Sequence, residues 1–269
     1  MGEQKRNNMR SSAPIQRLRE QLAALQPAAG GAVGEGFALG FKAADEKLEG
    51  LRRAALHEVF APGVQASAAN GFALALALRA TNRALVWVFE TRALAEAGGP
   101  YGPGLREWGV DPAGLILVRV RDAPALLAAG EEALRSRAVG AVLMSGWGEG
   151  KAHTLTASRR LAMAADQGGA TALLARIAAE PQPSAADSRW WVEAAPSAAL
   201  EARAPGRPAF RARLLRSRAG LPPQDWIMEW DREARSFVEP QKAVSGGLVS
   251  LPAQRQAGQG DEGRWRRAG

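Results

Sequence analysis

The sequence has no cysteine, and it contains only two histidines and one tyrosine among its 269 residues. Without cysteine the chain cannot form disulfide bonds, thiolate metal sites or a cysteine nucleophile. His57-Glu58 begins the His-Glu-x-x-His pattern of zinc proteases, but Ala61 occupies the position of the second histidine, and the other histidine of the chain is His153. The sequence therefore predicts no metal site, and His57 and Glu58 are expected to make polar contacts on a central strand.

Long hydrophobic segments are missing as well. No run approaches the roughly 18 apolar residues that cross a membrane. The polar opening Met1 to Arg10 is not followed by the apolar segment of a signal peptide. These absences predict a soluble cytoplasmic protein without a membrane partner.

The chain has an excess of positive charge that comes mostly from arginine. The formal net charge is +8 and the isoelectric point is about 10.8. Such a balance suits a nucleic-acid partner or an acidic protein surface. Arginine usage together with abundant alanine, glycine and proline also follows from a GC-rich genome, so charge alone does not identify a partner.

Apolar segments and helical patterns alternate through the middle of the chain, which predicts a parallel sheet with helices on both faces. The predicted strands are 55–60, 84–90, 115–120, 139–144 and 170–176, and the predicted helices are 68–81, a short one ending at 105–108, 123–136 and 156–167. The strand-like segments 189–194, 210–217 and 226–231 follow without long helices between them. The expected class is α/β, with a doubly wound, mostly parallel sheet extended by C-terminal antiparallel strands.

One domain with tails is predicted. Ile15, Leu18, Leu22 and Leu25 recur at helical spacing and predict an N-terminal helix. We expect residues 1–13 to be disordered, 14–53 to hold this helix and a linker, 54–238 to form the core, and 239–269 to be a disordered tail. Trp265, between arginines in that tail, has the pattern of a short linear motif, although an end without function is equally expected.

The segment 56–74 has the strand, loop and helix of a phosphate-binding loop without its chemistry. Such a loop needs glycines for close backbone approach, a lysine on the β- and γ-phosphates and a Ser/Thr hydroxyl on magnesium. Pro62 and Gly63 follow the predicted strand, and Asn70-Gly71-Phe72 opens the apolar helix where the Gly-Lys-Ser/Thr triplet is expected. This predicts a protein that kept the fold and lost catalysis. Backbone N–H groups near Gly63 and 69–71 could still bind a phosphate.

Several segments, in their order and spacing, make the chain resemble the ImuA family, which comprises RecA-like proteins of bacterial damage-induced mutagenesis cassettes and is sometimes labelled SulA-like. The matching segments are 55–59, 101–105 followed by Gly-Val-Asp-Pro at 109–112, 155–161, 188–192 with 194–197, and 214–218 with 226–231. Together they span 14–238. The resemblance implies that 54–238 is a RecA-like core with a degenerate nucleotide site.

The resemblance to RecA also implies where the other catalytic groups would stand. The acidic group after the second core strand of RecA falls at Glu90, one position early, and the aspartate that holds magnesium at the end of the Walker B strand falls at Ser145. Phosphoryl transfer is catalysed almost wholly by positioning and electrostatics, so these losses predict no useful hydrolysis. No cofactor is expected, and nucleotide binding without hydrolysis stays open.

The family further implies a pathway and partners. Its members are encoded beside a Y-family-like polymerase homologue, ImuB, and an error-prone DnaE-type polymerase, and they act in translesion synthesis under the SOS response. The implied function is a non-catalytic adaptor that links the ImuB-type protein, and beyond it RecA and the DnaE-type polymerase, to damaged forks. The N-terminal helix resembles the one with which RecA docks on its neighbour, which implies self-association or another partner.

Basic and aromatic side chains that follow the predicted strands are candidates for a surface that faces DNA or a partner. Arginine forks recognise phosphates and carboxylates, and a tryptophan can stack on a base. Arginines on helices are nevertheless more often solvated, and tryptophans are more often part of the core. The candidates are Trp147, Lys151, Arg159, Arg160 and Arg176, together with Arg211, Arg213, Arg216 and Arg218 on a late strand with a basic face.

Two other functions remain open from the sequence. A DNA-dependent ATPase or recombinase-like enzyme would need Lys42, Lys47 or Arg79 in place of the missing lysine. The SulA-like label would instead imply a cell-division inhibitor that acts on a tubulin-like polymer.

Overall fold

The computed structural model describes residues 15–22, 36–198 and 206–240. The helices in these ranges are α1 (residues 15–22), α2 (Lys42–Leu48), α3 (Ala66–Ala80), α4 (Thr91–Ala97), α5 (Gly102–Glu107), α6 (Ala123–Leu134) and α7 (Leu155–Gly168). The strands are β1 (Gly36–Phe37), β2 (Leu51–Arg52), β3 (Leu56–Ala61), β4 (Ala84–Glu90), β5 (Leu115–Val120), β6 (Val139–Trp147), β7 (Thr171–Ile177), β8 (Ser188–Ala194), β9 (Ala209–Ser217), β10 (Gln224–Asp231) and β11 (Ser236–Val238).

A nine-stranded sheet in the order β11-β10-β9-β8-β3-β7-β6-β4-β5 forms the centre of the protein. The six strands from β8 to β5 run parallel to one another, so their carboxyl ends meet at one edge. The strands β3 and β7 are buried along their whole length, as expected for continuous apolar runs that are covered on both faces.

Helices cover both faces of this sheet, which makes it doubly wound. On one face α3 packs on β3, β6, β7 and β8, and its Phe72 contributes to an aromatic core with Trp190, Phe210 and Phe237. On the other face α6 and α7 pack against each other and on the sheet. The helices α3, α4 and α5 lie on the first face and α6 and α7 on the second, because right-handed crossovers change face when the strand order reverses direction after β5.

The strands β9, β10 and β11 continue the sheet in antiparallel order. Their inward side chains alternate with exposed ones, so only one face of this extension is buried against the core. The predicted class, a mostly parallel doubly wound sheet with C-terminal antiparallel strands, is confirmed.

The structure also departs from the predicted elements. The ribbon of β1 and β2, the helix α4 and the strand β11 were not predicted, because each is too short to give a periodic apolar pattern. The expected disordered segments, 1–13 and all but the first two residues of 239–269, lie outside the described residues, as does the predicted helical part beyond residue 22. Among the described helices, none has the length and apolar character needed to cross a membrane.

Candidate functional site at the carboxyl edge of the sheet

The loop after β3 is short and carries no cation. β3 ends at Ala61, a 3-10 turn occupies Gly63–Gln65, and α3 begins at Ala66. Asn70-Gly71-Phe72 therefore lies in the second turn of α3, and the prediction that this triplet opens the helix is wrong. Helix formation begins earlier because the alanine-rich residues 66–69 favour it strongly. Residues 62–72 contain no lysine or arginine, so no register supplies the phosphate-binding cation.

An indole ring packs against Gly63 of this loop. A Cβ atom added to Gly63 would lie 3.1 Å from Cζ2 and 3.3 Å from Cη2 of Trp147, so the ring of Trp147 packs directly against the backbone at Gly63. The Cβ of Ala178 would lie 3.7 Å from the same point. A backbone N–H group binds an anion only when the anion reaches it. The indole therefore occupies space on the Cβ side of Gly63 and narrows the room around this backbone.

Ser145, at the end of β6, takes part in a chain of internal hydrogen bonds. The indole Nε1–H of Trp87 donates to Ser145 Oγ at 2.9 Å, and Ser145 Oγ donates to Asn70 Oδ1 at 2.8 Å. Ser145 is 1% exposed. Since the amide oxygen of Asn70 accepts from Ser145, its two amide N–H donors remain for other partners. The position where an ATPase would hold magnesium is thus occupied by a hydroxyl that links a strand to α3.

A groove of about 300 Å³ opens beside this hydrogen-bond chain, between α3, β4 and the segment 97–108. One wall is the stacked pair Trp87 and Phe89, whose ring centroids are 4.7 Å apart, and another is Trp108. Tyr101, 72% exposed, stands at the rim. The residues that line the groove include no charged side chain; its polar groups are the hydroxyls of Tyr101 and of two serines and the Asn70 amide. We call this feature the aromatic groove.

Gly71 lies where α3 packs against the Trp108 wall of the aromatic groove. A Cβ atom added there would lie 3.0 Å from Trp108 Cη2 and 3.5 Å from Phe210 Cε1. Phe72, the next residue, is fully buried and points into the aromatic core instead. The two residues therefore contribute to packing.

Glu90 closes the end of the sheet between β4 and β6. Its Oε2 atom accepts a hydrogen bond from the backbone N–H of Trp147 at 3.1 Å, and the residue is 8% exposed. Glu90 therefore helps to hold the backbone from which the Trp147 ring projects over Gly63. Neither a magnesium ion nor a water molecule is needed to satisfy this oxygen of the carboxylate.

A buried polar cluster lies on the opposite face, under α7. Ser184 Oγ donates to Glu58 Oε2 at 2.6 Å, and burial raises the pKa of the Glu58 carboxyl. Arg176 is 3% exposed, and its guanidinium lies 5.3 Å from the ring centroid of Phe60. Burial, followed by the positive charge of Arg176, lowers the pKa of His153 to about 4. The prediction that Arg176 belongs to an exposed partner-facing surface is wrong, because its strand is covered by α7.

Both ring nitrogens of His57 have internal partners. Its ring nitrogens lie 2.7 Å from Ser188 Oγ and 2.9 Å from the carbonyl oxygen of Arg52, and complete burial lowers the pKa of the imidazole. Within the described ranges no three histidine, aspartate or glutamate side chains come together as a metal-ligand group.

The remaining basic candidates are partly paired with acidic residues. Arg211 and Arg213 converge on Asp225 of the neighbouring strand, at 2.9 and 3.6 Å, so this carboxylate offsets one of their two positive charges. Arg160 is paired with Glu131 at 2.5 Å. Arg159 on α7 and Arg218 just after β9 line one surface pocket together with Arg52. Lys151, in the loop before α7, and Arg216, on β9, are exposed.

The N-terminal helix packs on its own chain. Leu18 is 1% and Leu22 7% exposed, both within the core cluster on the α6 and α7 face. Arg19 donates to Glu132 of α6 at 2.8 Å. The apolar stripe that suggested self-association is therefore buried against the same molecule in this structure.

Sequence reasoning missed the aromatic groove and the covering of Gly63 by Trp147. One sequence feature could have indicated the groove. The segment 98–104 is rich in glycine and proline around Tyr101 and is followed by the partly exposed Trp108. No signal in one sequence could show which of eight tryptophans lies over the loop, because that contact joins residues more than eighty positions apart.

Fold and site together define an α/β protein with a doubly wound, mostly parallel sheet whose first core strand leads into a loop without a phosphate-binding cation. Sequence comparison then gives the family. The chain is 32% identical over 213 residues to Protein ImuA of Caulobacter vibrioides (strain NA1000 / CB15N), which covers 73% of this chain and 82% of that protein. Protein ImuA of strain ATCC 19089 / CIP 103742 / CB 15 gives the same values.

No protein-family model matches the chain. At this identity and coverage, the chain belongs to the ImuA family. The resemblance seen in the sequence motifs is thereby confirmed.

Proposed function

We propose that this protein is a non-catalytic adaptor of error-prone translesion DNA synthesis, which links an ImuB-type polymerase homologue to damaged replication forks. The family supplies the pathway and the partner. One observation supports the non-catalytic part: the loop 62–65 and the following turns of α3 contain no cation, and the Trp147 indole packs against Gly63. Enzymatic phosphoryl transfer depends on such a cation and on bound magnesium.

The side chains that a relocated ATPase site would need are engaged elsewhere. Arg79 lies at the far end of α3 and donates to the carbonyl oxygens of Ala38 and Arg235. Lys47 donates to Gln224 at 2.7 Å, and Lys42 lies 3.7 Å from Glu46. Since α3 rises about 1.5 Å per residue, Arg79 is about 20 Å from its first residue and cannot reach the loop. This distance favours the adaptor over a displaced ATPase.

The surface also suits binding better than catalysis. The aromatic groove is neutral, with a hydrogen-bond donor fixed at its side, and ligand pockets commonly combine an apolar lining with a few placed polar groups. The exposed arginines at 159, 216 and 218 supply positive charge at other places on the surface. Such charge raises association rates with acidic partners and with DNA.

The test is binding of the full-length protein to its ImuB-type partner, measured by calorimetry without nucleotide, with ATP and with a non-hydrolysable analogue. The adaptor proposal expects the same affinity in all three, within about twofold. The full-length protein with Asp225→Lys, which adds charge to an exposed strand face, reports whether that face takes part. Absence of binding, or binding that appears only with hydrolysable ATP, would contradict the proposal.

A further inference from the structure

The aromatic groove is built to receive a planar, uncharged group. Trp87, Phe89 and Trp108 are among its lining residues, with Trp87 5% and Phe89 6% exposed, and no charged residue lines it. Phosphate groups of a nucleotide would find no cation there, whereas an aromatic side chain gains both area burial and ring contacts. A volume of about 300 Å³ lies at the lower end of the range for small-ligand pockets and suits a single large side chain.

The groove also offers one directed donor. Because Ser145 holds the oxygen of the Asn70 side chain, the amide N–H groups are fixed in orientation and free to donate to a carbonyl oxygen. A peptide that inserts a side chain into the groove brings backbone carbonyls to its rim. A bare aromatic ligand without an acceptor would leave this donor unused.

The chain itself contains one suitable group outside the described residues. Seven of the eight tryptophans and all phenylalanines and the tyrosine lie within 36–198 and 206–240, so Trp265 is the single aromatic residue of the remaining segments. It is therefore the one aromatic side chain outside the described residues that this chain can supply to the groove.

The path from the end of the sheet to the groove is short. β11 places Phe237 5.2 Å from the ring of Trp230, and Trp230 stacks at 6.0 Å on Trp108, the groove wall. The described chain ends two residues after β11. Extended residues span up to about 3.3–3.6 Å each, so the 25 residues from Pro240 to Trp265 easily bridge this separation.

We propose that the aromatic groove is a docking site for the indole of Trp265, supplied by the C-terminal segment of the same chain. This inference does not depend on the adaptor function. A short tether gives an effective concentration of about 1 mM, so a groove with a dissociation constant of about 0.1–0.2 mM for the free segment would be mostly occupied from within.

Fluorescence anisotropy of a fluorescein-labelled peptide of residues 255–269, titrated with full-length variants, tests the inference. The variant Trp265→Ala, in which the groove is vacated, should bind the peptide at least about fivefold more tightly than the unaltered protein, as the tether concentration above requires. A peptide with alanine in place of its tryptophan should not bind either protein.

Two matched substitutions in α4 locate the binding site. Ala97→Phe, made in the Trp265→Ala background, fills the groove and should abolish peptide binding. Ala95→Phe in the same background adds the same side chain at an exposed position of the same helix outside the groove lining, and should leave binding unchanged.

Three results would overturn the inference. The first is equal peptide affinity for the Trp265→Ala and unaltered proteins, and the second is peptide binding that survives Ala97→Phe. The third is displacement of the peptide by adenosine at concentrations below those needed for unlabelled peptide, which would assign the groove to a nucleoside. Circular dichroism of each variant verifies that it is folded.

Discussion

Replacing Ser145 with alanine should destabilise the protein by about 2 kcal/mol. Trp87 is 5% exposed, and in the described structure its indole N–H has Ser145 Oγ as its acceptor. A buried donor left without a partner costs about 1–3 kcal/mol. Asn70 is only half-buried, so its amide oxygen can turn to water and adds little. In a domain of this size, each 1 kcal/mol lost from the free energy of unfolding lowers the Tm by about 2–4 °C, so the Tm should fall by about 4–8 °C.

A double-mutant cycle with Trp87→Phe isolates this interaction, because phenylalanine removes the donor while keeping a ring in the wall. Urea denaturation of the four proteins should show that Ser145→Ala costs about 2 kcal/mol in the natural background and about 0.5 kcal/mol or less beside Trp87→Phe. A coupling of about 1.5 kcal/mol would show that Ser145 belongs to the fold. Equal costs in both backgrounds would refute the hydrogen-bond chain.

Two further predictions concern buried or strained residues. His153 titrates near pH 4 in the native protein, below its ordinary value near 6.5, so the unfolded chain binds more protons between these values and stability should fall as the pH is lowered from 6.5 to 4. The free energy of unfolding of the natural protein and of His153→Gln is measured in urea at each pH, and taking the difference cancels the similar contribution of His57. This difference should change by at most about 3 kcal/mol between pH 6.5 and pH 4. A difference that stays constant would contradict the burial of His153. Ala178 has a φ of 53°, in the left-handed region that favours glycine, so Ala178→Gly should stabilise the protein by about 0.5–1 kcal/mol. The control Ala179→Gly, at a buried residue outside the left-handed region, should destabilise it. Loss of stability in both variants would disprove the left-handed backbone at Ala178.

Much of the fold follows from the sequence because its core strands are nearly continuous apolar runs. β4 and β5 have the predicted bounds, and the boundaries of β3, β7 and α7 differ by one residue from prediction. Parallel strands that are buried on both faces are apolar at nearly every position, so they are recognised as continuous apolar segments. The start of α3 was placed too late because its alanines carry no apolar period, and helix propensity alone marks them.

The site was less predictable than the fold. Absence of the lysine is visible in any register of 62–72, but the contact of Trp147 with Gly63 depends on how the strands are ordered in the sheet. The burial of Arg176 was hidden for a related reason, since an arginine at the end of a strand is exposed in most proteins. The sequence alone shows that the phosphate-binding lysine is missing. Only the tertiary structure shows that the Trp147 ring lies beside Gly63.

Nucleotide binding and turnover by the full-length protein test the central claim most directly. A fluorescent ATP analogue is titrated to millimolar concentration with magnesium, with and without single-stranded DNA, and phosphate release is followed in the same samples, with RecA as the positive control. The variant Trp147→Ala, which uncovers Gly63, is measured in parallel. We expect no turnover in either protein, because removing the indole does not restore a cation. Saturable binding with DNA-dependent turnover would contradict the account and make this protein an ATPase.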